Sequence, residues 1–331
     1  MFAAVIWHAA DRGASRNELL RDAVLDLDAR VALHARVACE PRVARASPLA
    51  AGSAPRLDAE ARFVWFEAAG PDGRRQIHRI ERATHALVCL TCGEAGNNRR
   101  PAPHPTARAV LFDTDRFASW LRPIDRELMV LATDDGPARP SRRLTWDAAR
   151  DTHALYDPSG LGVAWSRYAI AGRAVRAPIE LGHGSLSLGR IEVLARGGLA
   201  PVTPIAWSAD ARAFAFAGGF SFARFSEIAD FAREASLALP AASAFDDSVS
   251  YSADGSLFAR AERAGRATRV WLGETGAAPA EIALGELSAW GEPMGIALAP
   301  DGSGFALAQE SAREERIVWA ALACAHEAES H

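Results

Sequence analysis

The strongest regularity along the chain is a short polar turn followed by an alternation of apolar and small residues. Trp207-Ser-Ala-Asp-Ala-Arg-Ala-Phe-Ala-Phe216 displays it well. Asp can bond its own backbone and Gly tolerates positive φ, so such segments make tight turns. The alternation that follows fits a strand covered on both sides. Related stretches begin at Leu57, Pro103, Trp146, Tyr251 and Leu298, so the six starts are separated by 43 to 61 residues. Most units continue with a further apolar strand, as at Gln76–Ile80, Leu128–Leu131, Arg190–Leu194, Arg269–Leu272 and Arg316–Trp319. A fourth, outer strand is expected to end near Leu90-Thr91, Leu144-Thr145 and Val202-Thr203. A period of about 40–50 residues with four strands per unit predicts propeller blades.

The fold class expected is therefore all-β: a six-bladed β-propeller of four-stranded antiparallel blades. The Asp-Gly turn is degraded at Pro103 and Trp146, which leaves seven blades as the alternative count. Residues 1–50 fall outside the repeat and are read as an N-terminal segment. Within it, Asn17–Asp28 suits a short helix with Ser15 as N-cap, and Val31–Val37 alternates like a strand. Pro48–Pro55 reads as a loop. The propeller is assigned to residues 51–322 and a tail to 323–331. The last unit runs out after its third strand, so Val31–Val37 is the expected donor of its outer strand. Pairing both chain ends in one blade would remove an open sheet edge.

Composition adds limits. The 331 residues are 49% hydrophobic, enough for a sizeable core. A net charge of -4 gives no reason to expect nucleic acid. All 37 basic side chains are Arg, which together with abundant Ala reflects the coding bias of a GC-rich genome. No apolar run is long enough to span a membrane. The apolar start Met1–His8 lacks a basic region before it, so a secretory signal is not expected. Cys89-Leu-Thr-Cys92 is a single CxxC pair with no His after it. That argues against a four-cysteine zinc site and against haem attachment. The pair is expected to be buried or bonded to itself, without a catalytic role.

Tyr251-Ser-Ala-Asp-Gly255 and Leu298-Ala-Pro-Asp-Gly302 resemble the Ser-Pro-Asp-Gly repeat of the TolB-like (WD40-like) β-propeller family. Leu90–Pro105 resembles that family's link from outer strand to next inner strand. The resemblance covers about residues 50–322 and is more specific for fold than for function. It implies a non-catalytic propeller, bacterial and monomeric, that binds a protein or peptide. It also implies a periplasmic setting, whereas no secretory signal is read at the start, so the compartment stays open between periplasm and cytoplasm.

No G-x-S-x-G elbow is present, and Gly182–Gly189 lacks the Gly-Lys-Ser/Thr ending of a phosphate loop. The longest interval contains an insertion of about 15 residues around Trp165–His183. It is expected to project on the same face as the inter-blade links, and loops on a rigid scaffold are where binding residues gather. The candidate ligand-binding residues are Asn97, Asn98, Arg99, Arg100, Arg173, Arg176, His183, Asp246, Asp247 and Glu292. A mouth lined by Arg, Asn and carboxylates suits a peptide or a polar small molecule. The alternative is a propeller enzyme (lactonase, lyase or glycan-acting hydrolase) working at the channel mouth. No cofactor or metal is expected; Asp113-Thr-Asp115 and Asp134-Asp135 are the one place where Ca²⁺ enters the reading. Trp65, Trp207, Trp271 and Trp319 are expected to pack between blades.

Overall fold

The computed structural model describes residues 41–324. Excepted are 107, 120–124, 134–139, 147–148, 157–159, 172–173, 186–189, 197–201, 208–212, 219–220, 223–225, 228–248, 253–256, 266, 275–278 and 313, and all side chains of 169–248. The described residues build six antiparallel sheets of four strands each.

After β1 (Pro41–Ala50), the first sheet holds β2 (Ser53–Leu57), β3 (Phe63–Ala69), β4 (Arg75–Glu81) and β5 (Leu87–Cys89). The next sheet holds β6 (Asn98–Pro103), β7 (Ala109–Thr114), β8 (Glu127–Ala132) and β9 (Arg142–Arg143). The third holds β10 (Ala149–Tyr156), β11 (Gly162–Ala171), β12 (Ala174–Ser185) and β13 (Arg190–Arg196). In the fourth, β14 (Val202–Trp207) and β15 (Ala213–Gly218) are joined by two short strands, β16 (Ser221–Phe222) and β17 (Ser226–Glu227), which both pair with β15. The fifth holds β18 (Val249–Tyr251), β19 (Leu257–Ala264), β20 (Ala267–Glu274) and β21 (Ala280–Ile282). In the sixth, β22 (Glu292–Leu298), β23 (Gly304–Glu310) and β24 (Glu315–Cys324) are followed by β1, so the order is β1-β24-β23-β22.

The period-2 alternation sends successive side chains to opposite sheet faces, and here both faces are covered. On β7, Val110 and Phe112 pack with Trp65 and Ile77 of the first sheet, whereas Leu111 packs with Tyr156, Val163 and Trp165 of the third. The first and sixth sheets share a cluster of Val64, Phe66 and Ile80 with Ala306, Ala308 and Ile317. The fifth and sixth share Leu257, Val270 and Leu272 with Ile296, Phe305 and Leu307. Burying one such side chain contributes about 1.5–3 kcal/mol, so these inter-sheet layers dominate cohesion. Of the four tryptophans read as packing residues, Trp65 and Trp319 lie buried in these clusters, as expected.

Two features differ from the sequence reading. The partner of β24 is β1, in register from Pro41 opposite Cys324 to Ala50 opposite Ile317. Val31–Val37 lies outside the described residues. Pro41 and Pro48 disguise β1, but an outer strand tolerates Pro because one row of its N–H groups needs no partner. Strand thus also replaces most of the expected loop at 48–55.

The third unit is out of register. Trp146 stands 67% exposed in the link, and the residues after it form the innermost strand β10. The alternating strand that follows the inner one is β11, Gly162–Ala171. Consequently Arg190–Leu194 is the outer strand rather than the third, and Val202-Thr203 opens the next inner strand. The presumed insertion is a lengthened hairpin, with strands β11 and β12 of 10 and 12 residues.

Candidate functional site

Inner strands β2, β6 and β10 each carry a register break, between Ser53 and Arg56, Arg99 and Ala102, and Thr152 and Leu155. Each break holds one non-glycine residue at positive φ: Ala54 at 49°, Arg100 at 53° and His153 at 52°. Such a conformation costs about 1–2 kcal/mol in a residue with a Cβ. Bulges of this kind re-aim side chains and recur beside functional sites. At Arg100 the twist lets its backbone N–H donate to Glu67 Oε1 of the first sheet at 2.9 Å.

The Arg100 side chain meets Asp113 at the end of β7. Asp113 Oδ2 accepts from Arg100 Nη1 at 3.3 Å and from the Thr152 hydroxyl at 2.6 Å, and Oδ1 accepts from Arg126 Nη1 at 2.5 Å. The Asp113 side chain is fully buried, whereas Arg100 and Arg126 remain 22% and 11% exposed. Burial alone would raise the Asp113 carboxyl. The two guanidiniums and the Thr152 bond outweigh it and hold the group well below the usual carboxylate range.

Arg99 and Arg150 lie within electrostatic reach of Arg100, Arg126 and Asp113. Burial pulls both guanidiniums below the usual arginine range, and neither Nε has a hydrogen-bond partner. Arg150 sits 5.9 Å from the Tyr168 ring centroid. Four guanidiniums are therefore gathered at one end of β6, β8 and β10, around the buried Asp113.

Two more acids lie below this layer. Asp151 accepts from Trp165 Nε1 at 2.9 Å, and burial pushes its carboxyl up to about 7 against that bond. Burial also raises Glu127, although the Thr145 hydroxyl and Arg143 both donate to it. Both side chains are fully buried.

Of the sequence candidates, Arg99 and Arg100 enter this cluster. Asn97 and Asn98 tie sheets together instead. Asn97 accepts from the Arg75 backbone at 3.1 Å and donates to Asp115 at 2.8 Å. Asn98 is buried and donates to Gln76 at 2.8 Å. Glu292, at the corresponding end of β22, is exposed and ion-paired to Arg263 at 2.6 Å. Arg176 and His183 fall on β12 with side chains outside the described residues, and Arg173, Asp246 and Asp247 lie outside them altogether. For Ca²⁺, the Asp113 oxygens are already taken by Arg and Thr donors, Asp115 bonds Asn97, and Asp134 and Asp135 lie outside the described residues. Arg126, Arg150, Asp151 and Thr152 escaped sequence reasoning. With the third unit in true register, Asp151, Thr152 and His153 stand where Asn98, Arg99 and Arg100 stand one sheet earlier.

No family model matches the chain, and no curated protein matches it. Solved structures do. A protein described as a TolB of Agrobacterium tumefaciens superposes at TM-score 0.53 with 13% identity, covering 81% of this chain and 89% of that one. The oligogalacturonate lyase of Vibrio parahaemolyticus reaches 0.53 with 10% identity, over 83% and 90%. TolB from Acinetobacter baumannii reaches 0.48 with 17% identity; the chain covers 54% of its length, about half. At these identities the likeness concerns architecture. The chain has the β-propeller fold that TolB proteins and oligogalacturonate lyase share.

Proposed function

We propose that this propeller binds an acidic protein segment or peptide at the end of β6, β8 and β10, and performs no chemistry there. The observation that carries this reading is the layering of charge. Arg99, Arg100, Arg126 and Arg150 keep solvent-facing surface, while Asp113 is fully buried beneath them. The anchored guanidiniums present planar donors that suit carboxylates. The patch is positive on a chain whose net charge is -4, which favours a local rather than a global attraction. The TolB likeness agrees with a binding role as analogy.

The competing reading is an enzyme at the same face, as in oligogalacturonate lyase. Asp151, held near pH 7, is the observation in its favour. Its side chain is fully buried behind Trp165, however, and a general acid must reach the proton it transfers.

Titration of fluorescent acidic, neutral and basic peptides of equal length tests the proposal. Binding should be confined to the acidic peptide and should weaken by about ten-fold or more between 50 and roughly 500 mM salt, as solvent-exposed attraction is screened. Equal binding of all three, or no binding, would overturn it.

A further inference from the structure

On the outer part of the first sheet, His78 stands in register opposite Cys89. Cys89 and Cys92 are joined in a disulfide. A ring nitrogen of His78 and the two sulfurs all lie within 4.8 Å of one another, a grouping found once among the described residues. His78 is 9% exposed, its ring stacks on Phe66 at 5.6 Å, and its Nε2 has no hydrogen-bond partner. A buried imidazole nitrogen without a partner is costly unless something completes it.

The residues between the cysteines are fixed independently of the disulfide. The Leu90 N–H donates to the Ile77 carbonyl at 2.8 Å. The Thr91 hydroxyl donates to Gln76 at 2.7 Å and accepts from the Ile77 N–H at 2.9 Å. Opening the S–S bond therefore leaves both sulfurs held beside His78. Both cysteines are partly exposed, so a reductant and an ion can reach them.

We propose that Cys89, Cys92 and His78 form a redox-gated site for a borderline-soft divalent cation, Zn²⁺ by ligand chemistry. Two thiolates and an imidazole are a set that zinc prefers, with a fourth position left for water. In the oxidised chain the sulfurs are bonded to each other and the site is closed. A low-molecular-weight thiol opens it: its thiolate attacks one sulfur, the Cys89–Cys92 bond breaks to give a mixed disulfide, and a second thiolate attacks the small-molecule sulfur and releases the protein cysteine. The products are two cysteine thiols and one small-molecule disulfide, with two electrons transferred. Cation binding then releases the two thiol protons.

The test uses the full chain in a Cys39→Ser, Cys324→Ser background, oxidised or reduced with a phosphine, and titrated with Co²⁺ and then Zn²⁺. Far-UV circular dichroism monitors the fold in each state. The reduced chain should keep its sheet signal and take up one Co²⁺ with thiolate charge-transfer and tetrahedral visible bands, which Zn²⁺ abolishes. The oxidised chain should show neither band. Cys89→Ser should remove the charge-transfer signature, and His78→Gln should weaken binding by roughly ten-fold or more. Absence of bands in the folded reduced chain, unfolding on reduction, equal uptake by the oxidised chain, or unchanged affinity in His78→Gln would each overturn the proposal.

Discussion

Asp113 carries more of the site than any other residue, because it is the buried counter-charge for two arginines, one on β6 and one just before β8. Asp113→Asn keeps the shape but leaves Arg100 and Arg126 facing each other without it. Removing one partner of a buried ion pair costs about 3–5 kcal/mol, so the urea midpoint should fall sharply. Asp113 also stabilises the fold above its ordinary value of 3.8 and loses that contribution only in stronger acid. Asp151 acts in the opposite direction. Burial raises its folded value to about 7, so its contribution is full below 3.8 and is lost as pH rises towards 7. The thermal midpoint should decline across that window. Asp151→Asn keeps an acceptor for the Trp165 indole and should flatten the profile between pH 4 and roughly 7; an unchanged profile would remove Asp151 from this account.

Gly160, between β10 and β11, shows what a single position demands. Gly160 has φ of 72°, and a Cβ there would run into the His104 imidazole. That ring bonds the Gly160 carbonyl at 3.1 Å and tilts against Tyr156 at 4.6 Å, locking the second sheet to the third. Gly160→Ala should therefore destabilise by about 1–3 kcal/mol in urea unfolding, through backbone strain and the displaced histidine. The same stretch explains how far the sequence could be read. Alternation identifies β3, β7, β15, β19 and β23, and in β3, β7, β19 and β23 both faces are buried. Tyr156-Asp-Pro-Ser-Gly160 does not stand out in the sequence because Pro interrupts the Asp-Gly pattern, and Trp146 presents a rival start at similar spacing. Arg150 and Asp151 are hidden by that rival start. The bulge that aims Arg100 left no signal either, since Arg is not a residue that advertises positive φ. Asn97 and Asn98 were visible as polar link residues, but only inter-sheet contacts reveal that their amides are consumed by Arg75, Asp115 and Gln76.

At the scale of the whole molecule, the repeat supplies a rigid set of strands, and three consecutive sheets contribute to one charged layer. The first sheet contributes Glu67, the second Arg99, Arg100, Asp113 and Arg126, and the third Arg150 and Thr152. A site assembled from separate sheets depends on their packing, so loss of an inter-sheet contact should weaken binding along with stability. Phe112→Ala, which empties a fully buried position between the first and second sheets, should cost about 3–5 kcal/mol and lower peptide affinity with it. The account's central claim is that the partly exposed arginines, rather than the buried acids, make the working surface. Fluorescence anisotropy of an acidic peptide against wild type, Arg99→Glu and Arg269→Glu tests it most directly, since Arg269 is an exposed arginine of β20 paired to Glu281. Arg99→Glu should reduce affinity by about ten-fold or more with an unchanged unfolding midpoint, while Arg269→Glu binds as wild type. Equal affinity of all three proteins would contradict the account.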